Sequence, residues 1–285
     1  MVADATPAPL RLQRTNGSGR LEVKSRGGAS RIRRLAQEGA SKIKLPNVAS
    51  GAPLEAVLMN TAGGLTGGDR LSWSIDLEAD TKAVVTTPAS ERIYKTSQGV
   101  AEIDVSLRAR AGACLAYLPQ ETILFDRSAL SRTLDVDLDR GASLLAVESL
   151  VFGRQAMGET VARTSIVDRW RVRSGGRLIH ADDLRFGGAI PDLLGRTAVT
   201  GGRLAIATIL VVHADAADWR DGLVALAGTD AGVSAWPVHD RQKLVVRIAA
   251  ENGYALRKTL TPVLLRCSRN LLGSTYDGLP KVWTV

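Results

Sequence analysis

Residues 60–77 read NTAGGLTGGDRLSWSIDL, a glycine-rich loop followed directly by a strand pattern. Four glycines lie within the six positions Gly63–Gly68, and glycine weakens the interior of both helices and strands. From Leu71 to Leu77 apolar and polar residues alternate strictly, which predicts a half-buried β-strand. The loop is therefore predicted to be a tight crossing between strands, where the backbone approaches another surface closely.

A glycine-rich loop can also cradle a phosphate by pointing backbone amides at the anion from a helix N-terminus. That motif needs a Gly-Lys-Ser or Gly-Lys-Thr ending and a following helix, whereas a strand follows Asp69 and Arg70 here. A small-molecule enzyme using Gly63–Gly68 is therefore the less favoured alternative. No nucleophile elbow or other catalytic constellation is present, so we expect no enzymatic activity.

The alternating strand recurs with a period near 30 residues: Leu77 and Leu107 are 30 residues apart, and Leu107 and Leu138 are 31. Each alternating strand is followed by a polar or glycine turn and by a more continuously apolar strand. The alternating strands are 73–77, 103–107, 134–138 and, more weakly, 170–172, and the apolar strands are 83–85, 114–117, 144–147 and 178–179. Such units bury their apolar faces only by stacking.

The predicted fold class is therefore mainly β, a β-helix-like or twisted β-sandwich stack of about 30-residue strand-turn-strand repeats over residues 55–190. An ordinary antiparallel sandwich remains open, since it shows similar strands without the regular period. We expect one domain over residues 1–285, with a basic part at 1–50, the repeat-like core at 55–190 and a helix-containing part at 215–285.

A small number of α-helices is predicted towards the C-terminus. Apolar residues from Leu256 to Leu271 fall at helical spacing, with Gly273 as a stop signal. Pro262 lies within this pattern, so either the helix is kinked there or it begins near Thr261. A shorter helix is predicted at 218–227. Both apolar stripes are expected to face their own domain.

The formal net charge of +8 is concentrated at the N-terminus, because residues 1–50 hold ten basic side chains, among them Arg11, and three acidic ones. No zinc-finger spacing or aromatic-studded basic sheet accompanies them, so we expect no nucleic-acid partner. The segment is interpreted as a solvated edge or a docking face for an acidic protein. The isolated cysteines Cys114 and Cys267 suit a reducing compartment. With no signal peptide or membrane-spanning run, a cytoplasmic protein without a membrane partner is predicted.

Several blocks of the chain resemble the UreD (also called UreH) family of urease accessory proteins. The two longest and most specific are LMNTAGGLTGGDRL at 58–71 and LPQETILFD at 118–126. The others are TTPA at 86–89, Glu148, FGR at 152–154, Gly158-Glu159 and LPKVWT at 279–284, which ends on Thr284. The similarity is loose over residues 1–20 and 214–237.

This resemblance implies a chaperone without a reaction of its own, required for inserting nickel into apo-urease. The implied partners are the urease apoprotein, UreF and the GTPase UreG. Nickel would pass transiently, with no tightly bound cofactor. A β-solenoid scaffold that does not handle metal remains the alternative.

Acidic and imidazole side chains recur just after the apolar strands of the repeats: Glu121, Glu148, and His180 with Asp182 and Asp183. If the repeats stack, such side chains are predicted to form a polar row that passes a divalent cation between weak sites. Ordinary solvated or ion-paired side chains are the alternative interpretation. Asp69 is either a cap for the loop amides or an entry carboxylate. The predicted nickel relay thus comprises Asp69, Glu121, Glu148, His180 and Asp183.

Overall fold

The structure is a computed structural model that describes residues 13–273, 276 and 278–283. Arg11 of the basic segment and Thr284 of the closing block lie outside the described residues. The strands are β1 Asn16–Arg26, β2 Ala29–Gly39, β3 Ser41–Lys44, β4 Leu54–Asn60, β5 Arg70–Leu77, β6 Lys82–Thr86, β7 Glu91–Ile93, β8 Ala101–Ala109, β9 Cys114–Leu118, β10 Thr122–Leu124, β11 Ala129–Leu138, β12 Ser143–Phe152, β13 Arg163–Ser174, β14 Arg177–Ala189, β15 Ala205–Val212, β16 Ala231–Val238 and β17 Arg241–Ala250. The α-helices are α1 Ile190–Leu194, α2 Arg220–Ala227 and α3 Gly253–Leu272, and short 3-10 turns lie at Gln155–Met157, Ala216–Trp219 and Lys281–Trp283.

The strands form two sheets that share one hydrophobic core. The seven-stranded sheet has the order β2-β1-β5-β8-β11-β13-β14. The ten-stranded sheet has the order β3-β4-β6-β9-β12-β15-β17-β16, with β10 joined to β12 and β7. Inward residues of both sheets, such as Ile75 and Leu107 from one and Ala83 and Leu144 from the other, belong to the same buried cluster. The inward face is apolar because the strands alternate with period two.

Three of the four predicted strand-turn-strand repeats are confirmed. The units β5–β6, β8–β9 and β11–β12 each cross from the seven-stranded to the ten-stranded sheet, and successive units pair in parallel. The mainly β, solenoid-like stack is therefore the observed architecture. The pairing differs in one detail, since Leu77 pairs with Ala109 and not with Leu107. One inward row consists of Trp73, Val105, Leu134 and Trp170.

The fourth predicted repeat is wrong. β13 and β14 form an antiparallel hairpin within the seven-stranded sheet, and Leu178, predicted to lie in an apolar strand, is 49% exposed. The turns explain the difference: each earlier crossing has a single left-handed residue (Asp80, Gly112 or Gly141), whereas Gly175 and Gly176 are both left-handed. Two consecutive left-handed residues suit the two-residue hairpin turn, which returns the chain into the same sheet.

The glycine-rich loop crosses from β4 in the ten-stranded sheet to β5 in the seven-stranded sheet, as predicted for a tight crossing. A Cβ on Gly64 would lie 2.4 Å from the ring of Tyr94. A Cβ on Gly67 would lie 2.1 Å from Thr96 Oγ1 and 2.2 Å from the carbonyl oxygen of Gln98. These two glycines are therefore required by close packing against the segment after β7.

The predicted C-terminal helices are present. α3 begins after Asn252, whose side chain accepts a hydrogen bond from the backbone N–H of Ala255. Of the two alternatives for this helix, the start near Thr261 is therefore wrong. Pro262 lies within the helix, where it removes one backbone hydrogen bond. The apolar stripe of α3 is buried against the outer face of the ten-stranded sheet, together with α2. None of the helices among the described residues is long and apolar enough to cross a membrane.

Candidate functional site

A charged cluster is buried between the two sheets. Arg132 on β11 and Asp168 on β13 are neighbours in the seven-stranded sheet, and Glu148 on β12 faces them from the ten-stranded sheet. Their residual exposures are 3%, 5% and 5%. Each occupies an inward position of its strand that would otherwise carry an apolar residue. Charged side chains are rarely buried so completely unless they are paired.

The Arg132 guanidinium joins the two carboxylates. Its Nη1 lies 2.5 Å from Glu148 Oε2, and its Nη2 lies 2.5 Å from Asp168 Oδ2. Nη1 also donates to Thr122 Oγ1 at 3.0 Å. Within the part of the chain that the structure describes, Asp168 Oδ1 has no hydrogen-bond partner, whereas Glu148 also accepts a hydrogen bond from the Tyr117 hydroxyl. The cluster thus pairs one cation with two carboxylates and leaves acceptor capacity unused.

Burial controls the titration of this cluster. It raises the pKa of Glu148, because desolvation outweighs the opposing Arg132 charge. Burial likewise raises the pKa of the Tyr117 hydroxyl, and the Glu148 charge adds to this effect. For Arg132, burial acts to lower the pKa, but the charges of Asp168 and Glu148 outweigh it and raise the pKa. The interior therefore favours a positive charge or a proton beside the two carboxylates.

A small cavity of about 20 Å³ adjoins the cluster and is lined by Arg132, Glu148 and Asp168. Its wall also includes Leu184, Ile206, Ala207 and Thr208, which it shares with a larger cavity of about 430 Å³. The larger cavity reaches the surface, since exposed Asp183 and Asp230 line it. The two adjoining cavities place the buried cluster next to a surface opening of the sandwich.

The five residues predicted as a nickel relay are not in one row. Glu148 and His180 face the interior, whereas Glu121 lies beyond the other face of the ten-stranded sheet, against α3. Asp183 is exposed and its carboxylate accepts hydrogen bonds from Arg171 Nη2 at 2.8 and 3.1 Å, which lower the pKa of Asp183. The repeat alignment misplaces Asp183 because the fourth unit is a hairpin.

Asp69 is 5% exposed and caps the glycine-rich loop. Its Oδ2 accepts a hydrogen bond from the backbone N–H of Thr66, and its Oδ1 accepts one from Thr15, both at 2.8 Å. This geometry agrees with the first interpretation of Asp69, in which its side chain caps the amides of the loop. A metal role for Asp69 stays a prediction.

Among the described residues, no three His, Cys, Asp or Glu side chains are grouped closely enough to hold a metal ion. Arg132 and Asp168 were not among the residues predicted from the sequence. A signal for them was available, because both occupy inward positions of strands whose neighbouring inward residues are apolar, such as Leu134 and Trp170. A charged residue at such a position marks either a paired interior charge or a functional site.

Comparison with known proteins decides the family. The family model described as UreD urease accessory protein matches residues 15–284. The chain belongs to the UreD family of urease accessory proteins. It is 50% identical over 285 residues to urease accessory protein UreD 1 of Brucella melitensis biotype 1, covering 100% of this chain and 99% of the relative. Urease accessory protein UreD of Rhizobium etli is 51% identical over 286 residues, again with 100% and 99% coverage.

In this UreD-family chain, residues of two sequence blocks, 118–126 and 279–284, meet on α3. Together with Arg257 of α3 they form a cluster that we call the clasp: Gln120, Glu121, Arg257, Val282 and Trp283. Arg257 Nη1 donates to Gln120 Oε1 at 2.7 Å and to Glu121 Oε1 at 3.3 Å, and its Nη2 donates to the Val282 carbonyl at 3.2 Å. The guanidinium carbon lies 5.1 Å from the Trp283 ring centroid. The clasp gives Glu121 a structural partner outside the sandwich core.

His180 is a histidine buried in the interior of this UreD-family chain. The imidazole is 8% exposed, lies near Trp170, and has an Nε2 atom without a hydrogen-bond partner in the described residues. Burial lowers the pKa of His180 to about 4, and the Lys243 charge acts in the same direction. At pH values between about 4 and the ordinary histidine pKa, the folded protein therefore keeps His180 neutral, whereas the same side chain is protonated in the unfolded chain.

We expect His180 to make stability depend on pH. Its contribution is fully present above the ordinary histidine pKa of about 6.5 and is lost as pH falls towards the folded value. Between pH 7.5 and pH 5 the wild type is expected to lose about 2 kcal/mol of unfolding free energy through His180, and His180→Phe is expected not to lose it. Urea unfolding at both pH values measures this difference, with the exposed His239→Asn as control. Equal pH dependence in wild type and His180→Phe would contradict the buried neutral imidazole.

Proposed function

We propose that this protein assists urease maturation by passing nickel to the urease apoprotein, in the cytoplasm and together with UreF and the GTPase UreG. Its family membership supports the link to urease. The observation that carries the metal role is the pair of buried carboxylates, Glu148 and Asp168, beside a cavity that adjoins a surface opening. Carboxylate oxygens are suitable ligands for hard and borderline divalent cations.

The ligands available here favour brief binding of a metal ion over its storage. Two carboxylates with hydroxyl groups nearby provide fewer strong ligands than a closed structural metal site, which would retain the ion. Glu148 and Asp168 contact the cation in this proposal, while His180 lines the same interior. Asp69 holds the glycine-rich loop through its hydrogen bonds. Glu121 does the same for the clasp, and Asp183 for the β13–β14 hairpin.

The proposal is tested by replacing Glu148 with Gln in cells that produce urease and its accessory proteins. Gln preserves the size of the side chain but removes its charge. We expect urease to contain at least about tenfold less nickel, because even the loss of an outer-shell partner of a metal ligand costs about tenfold in metal affinity or activity. Nickel per urease active site is measured on purified urease by mass spectrometry. Asp137→Asn is the matched control, because it removes an exposed carboxylate of β11 that lines neither cavity.

Co-purification of each variant with apo-urease and UreF separates the passage of metal from scaffolding. We expect Glu148→Gln to form the same complexes as the wild type. Full nickel loading by this variant would contradict the metal role and favour a scaffold that does not contact metal. Loss of the complexes together with loss of nickel would mean that the substitution disrupts the fold or the docking surface.

A further inference from the structure

The edge strand β2 is long and uncovered. It runs for 11 residues at one border of the seven-stranded sheet, and within the described ranges it pairs with β1 alone. All of its residues are exposed or half-buried. An edge strand presents unpaired backbone N–H and C=O groups, and natural proteins usually keep such strands short or interrupt them with proline. β2 contains no proline, so its free edge offers backbone hydrogen-bonding groups to another strand.

The core side of β2 carries two apolar residues. Leu35 lies opposite Leu21 in the ladder with β1. Ile32 lies opposite Val23, and because opposite residues share a face, both apolar side chains of β2 point to the core side of the sheet. Leu21 and Val23 are 0% exposed, whereas Ile32 and Leu35 are 41% and 39% exposed. The core therefore covers β1 but leaves the apolar side chains of β2 partly in solvent.

The outer side of β2 is basic. Arg34 and Arg31 lie opposite positions 22 and 24 of β1, which alternate with the inward residues and therefore point outward. Both arginines are exposed, and neither forms an ion pair within the part of the chain that the structure describes. The intervening Arg33 is the extra residue of a bulge and pairs with Glu78. β1 and β2 together hold six basic side chains and two acidic ones, so this border favours a negatively charged partner.

We propose that β2 is a docking edge on which an extended segment of a partner protein adds as a further strand. The segment alternates acidic and apolar residues, which place carboxylates beside Arg31 and Arg34 and apolar side chains beside Ile32 and Leu35. Backbone hydrogen bonds give such strand addition its affinity, and the alternating side chains give its specificity. The inference goes beyond the proposed passage of nickel and does not depend on Glu148.

Two other occupants fit this edge less well. A second copy of the chain would bring the arginines of two β2 strands together, and like charges across a strand pair are destabilising. A nucleic acid would contact the arginines but would use neither the free backbone groups nor the apolar side chains. The combination of a free ladder, an apolar side and a basic side therefore favours an acidic protein segment.

The test is photo-crosslinking in cells that produce urease and its accessory proteins. The photoreactive amino acid p-benzoylphenylalanine replaces Leu35 in the full-length chain, and mass spectrometry of the purified product identifies the attached peptide. We expect one partner protein, joined through a segment that alternates acidic and apolar residues. Leu226, which is 37% exposed on α2, is the matched control position and should not give this product.

Charge reversal tests how the segment is recognised. Arg31→Glu together with Arg34→Glu is expected to lower the yield of the Leu35 cross-link at least about tenfold, because juxtaposed like charges strongly oppose binding. Arg177→Glu together with Arg196→Glu makes the same change in net charge at two exposed arginines elsewhere and should leave the yield unchanged. Equal yields from the two double variants would contradict recognition by charge at β2.

The other outcomes are equally clear. A Leu35 cross-link to a second copy of this chain, to nucleic acid or to a segment without acidic residues overturns the inference, as does a yield no higher than at Leu226. Glu148→Gln should retain the Leu35 cross-link, so this test and the nickel measurement can fail independently. Loss of nickel loading with an intact cross-link would support both proposals.

Discussion

Replacing Trp283 with Ala is expected to lower the free energy of unfolding by about 3–5 kcal/mol, the range for removing a large aromatic side chain from a core. Trp283 is 2% exposed and packs with α3 on the outer face of the ten-stranded sheet. Its indole N–H lies 3.2 Å from both Thr86 Oγ1 and the carbonyl oxygen of Leu118. The substitution therefore removes apolar contacts and the indole hydrogen bond, while the Leu118 carbonyl keeps Thr86 Oγ1 as a donor at 2.6 Å.

Urea unfolding followed by far-UV circular dichroism measures this loss. Trp283→Phe should have a smaller effect, because it keeps an aromatic ring and removes the indole N–H. Tyr254→Ala is the matched control: it removes an aromatic side chain from the first turn of α3 that is 81% exposed. We expect the control to change the unfolding free energy by less than about 0.5 kcal/mol. Similar losses in Trp283→Ala and Tyr254→Ala would contradict the clasp as a structural element.

Replacing Gly67 with Ala is expected to cost about 3 kcal/mol, at the upper end for overpacking. The added Cβ would lie 2.1 Å from Thr96 Oγ1, 2.2 Å from the Gln98 carbonyl oxygen and 2.7 Å from the Gly99 carbonyl oxygen. Two of these three atoms belong to the backbone, which cannot move aside as a side chain can. The crossing between the sheets must then separate from the neighbouring segment.

Gly63→Ala is the matched control within the same loop. Gly63 has φ +77°, and no atom lies within 4 Å of an added Cβ. Only the left-handed backbone is strained, so a cost of about 1 kcal/mol is expected. Thermal unfolding of both variants distinguishes the two causes. If Gly63→Ala were the more damaging substitution, backbone conformation and not close packing would be the reason for the glycines.

The fold could be predicted in outline because its patterns are local. Alternation shows which residues of a strand face the core, and it led to the correct inward sets on β5, β8 and β11. Alternation cannot distinguish a shift of two residues, since such a shift keeps the same side chains inward. For that reason Leu107 was aligned with Leu77, where the sheet pairs Ala109. β1 and β2 were missed, and β2 has no period-two signal because its residues are mostly exposed.

The candidate site was predicted only in part for a related reason. Glu148 lies within β12, whose residues are all buried, so alternation gives no direction for its side chain. Glu121 follows Pro119 after β9 has ended, and outside a strand the alternation gives no direction. The partners of Glu148 come from other strands, and Asp168 lies 36 residues from Arg132. Contacts of this kind depend on sheet pairing, which the sequence pattern does not specify.

The clasp on α3 has a consequence for the order in which the molecule assembles. The pairing of β5, β8, β11 and β13 brings together segments about 30 residues apart, so the stack can grow one unit at a time from any nucleus. The contact between Gln120 and Arg257 spans 137 residues, and long-range contacts are entropically slower to form. We therefore expect the clasp to form after the stack during folding.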